Sequence, residues 1–247
     1  MSGNAFKDYE ITPSSYSHFL NVRSVLRQWF FDPFLAAAGS TQFFELDDGN
    51  TVKPKNDLDF VVQASKEEVI KIITDNPYIE TYRKFGNTIS TLWKTEDGFI
   101  HVDLMPSVNV NDESWIMTGG SQNIKGVVRN VLLCYLARLF SESETERLGE
   151  ETKWTIAFPG GMGLKQNGIC LNRNTSPRFI LDKLGLANND EQIETSRTFE
   201  GLSALVDWNT AKLERFEDYA KEQWLYKKSP DVFEKAFEYL RATQNQV

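Results

Sequence analysis

The stretch Asn56-Asp57-Leu58-Asp59-Phe60-Val61-Val62, read together with His101-Val102-Asp103-Leu104-Met105-Pro106, decides how this chain folds. Leu58, Phe60, Val61 and Val62 predict a strand entered through Asp57. Side chains alternate along a strand, so Asp57 and Asp59 share one face while Leu58 and Phe60 point into a core. Asp103 lies between Val102 and Leu104, again an acid facing outward from an apolar strand. Carboxylates on one face repel each other unless a cation sits between them. If the two strands are neighbours, three carboxylates converge. That arrangement suits two Mg²⁺ ions roughly 3.5–4 Å apart, with Mn²⁺ as a substitute.

Working outward, Gly39-Ser40 and Gly49-Asn50-Thr51 precede the acids. Gly39 and Ser40 would give phosphate oxygens a close backbone approach and N–H or hydroxyl donors. Apolar spacing predicts a helix over 14–30, capped by Ser14 or Ser15 and ended by Pro33. A short apolar run covers 34–38, and 47–55 is turn-like. A helix over 66–74 stops at Asn76-Pro77, and strands over 88–94 and 98–105 are joined by a turn at Glu96-Asp97-Gly98. The first half thus reads helix, strand, strand, helix, strand, strand. After Pro106 the period changes. A largely buried helix is expected over 124–140, a hairpin or loop over 154–164, and helices over 179–184, 211–226 and 230–242. The fold class is α+β, with a mixed sheet and flanking helices over 1–112 and a mostly helical lobe over 113–247 that closes the cleft.

The order Gly39-Ser40, Gly49/Thr51, Asp57/Asp59 and then a distant Asp103 resembles the polymerase-β-like nucleotidyltransferase superfamily. Within it the pattern is most similar to the branch of archaeal-type CCA-adding enzymes and oligoadenylate synthetases, and Asn76-Pro77-Tyr78 adds to the likeness. The resemblance covers residues 34–107. The gap from Ser40 to Asp57 is longer than the family's, Asn56 replaces its Ser or Gly, and Gly49-Asn50-Thr51 is one residue looser than Gly-Thr. The resemblance implies a small mixed sheet, Mg²⁺ dependence, and transfer of a nucleoside monophosphate from a nucleoside triphosphate with release of pyrophosphate. It further implies that Asp57, Asp59 and Asp103 are the catalytic, metal-holding residues, that Gly39 and Ser40 hold the phosphates, and that a basic residue on the helix after the third acid contacts the triphosphate. Lys125 and Arg129, four apart and therefore expected on one helix face behind Gly119-Gly120-Ser121, are the candidates.

The acceptor is less constrained. The likeness favours an RNA 3′ end such as that of tRNA. The net charge of −8 and the short second lobe favour a small molecule, a nucleotide or a protein hydroxyl, because long nucleic acids are usually gripped by basic surfaces. A nucleotide-binding module without turnover, of toxin–antitoxin type, is the non-enzyme alternative. With two histidines and two cysteines at no ligand spacing, a zinc site is not expected. His101, two residues before Asp103, reads first as a hydrogen-bonded structural histidine. Pro159-Gly160-Gly161-Met162-Gly163 lacks the ending of a phosphate-binding P-loop and reads as a turn. Neither a signal peptide nor a ~20-residue apolar span is visible, so the reading is a cytoplasmic protein with no membrane partner. Oligomeric state is not encoded in any motif.

Overall fold

The computed structural model describes residues 5–31, 34–46, 53–117, 120, 121, 124–148, 152–158 and 160–244. Pro33, the Asp47-Asp48 pair, the Gly49-Asn50-Thr51 motif, Gly119 and Pro159 lie outside them. The chain divides into two compact units, Met1–Ser114 and Trp115–Val247.

The first unit runs α1 (Tyr16–Phe30), β1 (Leu35–Ala38), α2 (Gln42–Leu46), β2 (Leu58–Gln63), α3 (Lys66–Ile73), β3 (Ile79–Phe85), β4 (Thr88–Thr95) and β5 (Gly98–Ser107), and α4 (Val110–Met117) starts at its end. Its five strands form one mixed sheet in the order β1-β2-β5-β4-β3, in which only β2 and β5 are parallel. The sheet's apolar face carries Leu58, Phe60, Val62, Val102 and Leu104, buried with residues of α1 and α3. Phe19 of α1 stacks on Phe60, centroids 6.0 Å apart. Both helices start where the side chains dictate. Ser15 caps α1 in a box with His18, and Ser65 caps α3 in a box with Glu68, each cap contributing about 1 kcal/mol.

The second unit contains α5 (Gly126–Ser143), α6 (Thr145–Leu148), β6 (Thr152–Ala157), β7 (Gly161–Gln166), β8 (Ile169–Asn174), α7 (Pro177–Lys183), α8 (Asp190–Thr195), α9 (Phe199–Ala204), α10 (Trp208–Ala211), α11 (Leu213–Glu222), α12 (Trp224–Lys228) and α13 (Pro230–Gln244). It is therefore helical with a three-stranded antiparallel sheet, β6-β7-β8. The continuous helix expected over 211–226 is instead three pieces. Lys212 adopts φ 59° between α10 and α11, and Gln223 is extended between α11 and α12. No helix among the described residues is long and apolar enough to cross a membrane.

Candidate functional site

The register of the first sheet brings the acids together. Asp59 pairs with Asp103 across the parallel β2–β5 ladder, with Ala38 beyond Asp59 and Ser90 beyond Asp103 in the same row. Asp57 stands two residues before Asp59, on the same face by alternation. Each of the three acids offers a carboxylate oxygen within 4.8 Å of those of the others. At an effective dielectric near 20, two unit charges at that spacing repel by roughly 3.5 kcal/mol. Among the described residues, no lysine or arginine forms an ion pair with Asp57 or Asp59.

That repulsion appears in the titration of the acids. Burial, then the Asp103 carboxylate, raises Asp57 above its ordinary 3.8, with His101 acting in the opposite direction. Burial, then Asp57 and Asp103, raises Asp59 well above it. The donor set is thus three carboxylate oxygens on one face, the ligand type that a hard divalent cation takes. The sign of the linkage follows. An acid whose folded pKa is raised keeps its proton where the unfolded chain has lost it, so folding is favoured below about 3.8 and loses that support as pH climbs through the raised folded values. Metal-free protein should therefore lose melting temperature as pH rises through the weakly acidic range. Added Mg²⁺ should restore it by an increment that grows with pH, because the cation competes with protons for the same oxygens. Thermal melts across pH, with and without Mg²⁺, read this directly; a pH-independent Mg²⁺ increment would show that the acids do not form the site.

Three neighbours position the acids, two at the Asp103 carboxylate and one at the Asp59 backbone. Ser90 Oγ donates to Asp103 Oδ1 at 2.6 Å, and His101 Nε2 lies 2.8 Å from the same oxygen. His101 is buried, with Phe6 packed edge-on against its ring at 5.3 Å. The buried Thr41 hydroxyl accepts the Asp59 backbone N–H at 2.7 Å. Gly39, at φ 54°, turns the chain out of β1 so closely over Asp59 that a Cβ there would collide with Asp59 Oδ2. Ser40 follows in the same turn, half-buried. Thr41 closes the stretch Gly39-Ser40-Thr41 and Ser90 lies within a strand pattern, but neither carries a spacing signal for its role. Only the strand register reveals what they hold.

Second-layer donors to metal-holding carboxylates commonly contribute 10–100-fold in affinity or activity. His101→Leu should accordingly lower Mg²⁺ affinity by roughly that factor, and His101→Gln, whose amide nitrogen reaches a similar point, should recover part of it. Mg²⁺ titration of the melting temperature is the check. Equal behaviour of the two variants would mean that the ring matters for packing under Phe6 rather than for Asp103.

The basic pair of the second unit is built differently from the expected shared face. Lys125 precedes the first turn of α5 as its N-cap, extended and exposed. Arg129 is wholly buried. Its guanidinium lies 4.2 Å from the Trp115 ring centroid and its Nε donates to the Ser196 carbonyl at 2.7 Å. Both terminal nitrogens of Arg129 are buried without a hydrogen-bond partner, and burial, with Arg197 adding to it, pulls its pKa down to about 9. The reason is that α5 is buried around most of its circumference, so the i,i+4 rule does not pick out a solvent face.

Compared with known proteins, the sequence matches no family model and no curated protein.

Proposed function

We propose that the first unit is the catalytic lobe of a metal-dependent nucleotidyltransferase with a polymerase-β-like sheet. The observation that carries the reading is the direct pairing of Asp59 with Asp103 on adjacent parallel strands, with Asp57 on the same face and a carboxylate oxygen of each within 4.8 Å. Two Mg²⁺ ions, when bound, would neutralise the triphosphate and make an acceptor hydroxyl more acidic. Asp57 and Asp59 would hold both ions and Asp103 one of them, its rotation fixed by Ser90 and His101. The acceptor oxygen would bond to the α-phosphorus while the bond from that phosphorus to the bridging oxygen breaks. The hydroxyl proton would pass towards Asp103, and pyrophosphate would leave. Gly39 and Ser40 would line the phosphates, the glycine because no side chain fits beside Asp59. The rate gain would come from positioning and charge neutralisation.

Lys125 and Arg129, the basic residues that the resemblance sets beside the triphosphate, both belong to the second unit. Arg129, with its guanidinium on Trp115, is better read as a core residue of that unit. We favour an RNA 3′ end as acceptor, with a protein or small-molecule hydroxyl as the second choice.

The test is incubation with each nucleoside triphosphate, Mg²⁺ and total tRNA, following both labelled incorporation and pyrophosphate. Incorporation into RNA supports the whole reading. Pyrophosphate release without RNA labelling keeps the chemistry and moves the acceptor. Triphosphate that raises the melting temperature yet stays intact would replace the enzyme with a binding module. Neither turnover nor stabilisation would sink the proposal.

A further inference from the structure

Residues 152–174, which make up β6–β8 and their turns, contain no aspartate or glutamate in a chain whose net charge is −8. Their cations are Lys153, Lys165 and Arg173. The strand register sorts the side chains onto two faces. Trp154, Ile156 and Met162 belong to the face packed on the core of the second unit. Lys153 stands directly opposite Lys165 on the other face, with Thr155 and Cys170 beside them. Arg173 reaches that face by lying over two glycines. A Cβ on Gly160 would collide with its guanidinium, and one on Gly163 would meet its Cγ at 3.0 Å and Cys170 Sγ at 2.7 Å.

Like charges directly opposite across a ladder cost stability. Here none of the three cations forms an ion pair with a described residue. The exposed apolar side chains of β8, Ile169 and Leu171, sit at register positions of the opposite face, paired with Gln166 and Leu164. Among the described residues, the outer face is therefore cationic and polar, with Arg173 lying over its glycines and no large apolar group to enter a lipid layer. Such a surface complements a string of phosphates.

We propose that the outer face of β6–β8 docks the phosphate backbone of an RNA. As the acceptor's docking surface it rests on the nucleotidyl-transfer reading, but its test needs no catalysis. The full chain is titrated into a fluorescent single-stranded RNA and into tRNA, between about 50 and 200 mM salt. The expected result is salt-dependent binding that weakens roughly tenfold or more in Lys153→Gln/Lys165→Gln/Arg173→Gln, with a log–log salt slope shallower by about two, since each lost phosphate contact removes ~0.7. Cys170 gives a second readout on the unaltered chain. RNA should slow its alkylation by iodoacetamide, while Cys134, its thiol pushed up to about 11 by burial, serves as the slow internal reference.

Wild-type affinity and slope in the triple variant would overturn the assignment, as would RNA binding that leaves Cys170 fully reactive. Protection of Cys170 by phosphatidylserine vesicles but not by RNA would overturn it in favour of a membrane surface. Asp57→Asn/Asp59→Asn separates the two readings. It should abolish transfer and keep RNA binding, so loss of transfer activity and loss of docking are scored independently.

Discussion

Asp59→Asn should raise the melting temperature of the metal-free protein by several degrees while abolishing nucleotidyl transfer. The substitution preserves shape and leaves the backbone bond from Asp59 to Thr41 in place. What it removes is one of three mutually repelling carboxylates, the one whose titration is displaced upward by burial and then by Asp57 and Asp103. Relief of that repulsion should contribute about 1–2 kcal/mol, several degrees for a domain of this size. The same change removes a ligand proposed for both metal ions, so transfer should fall by at least ~1,000-fold, and the Mg²⁺-induced gain in melting temperature should largely vanish. Opposite signs for stability and activity mark a site that folding tolerates rather than needs. A variant that melted lower than wild type and kept its Mg²⁺ response would identify Asp59 as a structural acid and remove the central ligand of the proposal.

How far the sequence foretold this site depends on what each signal measures. The strand carrying Asp57 and Asp59, and the one carrying Asp103, were legible because alternation of acid and apolar residues is a local property. Their adjacency was only conditional in the sequence. Which strands pair is a tertiary matter, and the parallel β2–β5 register supplies it. β3 is not legible because it is an edge strand, whose Glu80, Arg83 and Lys84 suppress the apolar pattern that edges avoid displaying. β8 has a local signature in the sequence beyond the hairpin or loop expected over 154–164. Asn167-Gly168, at φ 49° and 81°, is the two-residue hairpin turn whose sequence signature is Asn-Gly. The break at Lys212 had no Gly or Pro to announce it, and Arg129 shows that a charge on a helix surrounded by core needs no solvent face.

Gly39→Ala tests the site from the backbone side, and Gly86→Ala supplies its control. Both glycines sit in the left-handed region, at φ 54° and 58°. An L-residue there costs about 1–2 kcal/mol, so the two variants should lose similar stability from strain alone. Their surroundings differ. A Cβ at Gly86 meets nothing within 4 Å, whereas at Gly39 it would collide with Asp59 Oδ2. The methyl group can be accommodated only if the Asp59 carboxylate swings away or the turn lifts off the sheet. Either movement displaces a proposed metal ligand from its fellows, and a displacement of the order of 1 Å in a reacting assembly can cost ~100-fold. Gly39→Ala should accordingly lose transfer activity and Mg²⁺ stabilisation together, by roughly that factor in rate, while Gly86→Ala keeps both. Combining Gly39→Ala with Asp59→Asn should add little further loss of activity, since the two act on one group and neighbouring effects do not add. Equal activity of the two glycine variants would mean that the close approach of Gly39 to Asp59 serves the turn alone, and that phosphate and metal are handled elsewhere on the sheet.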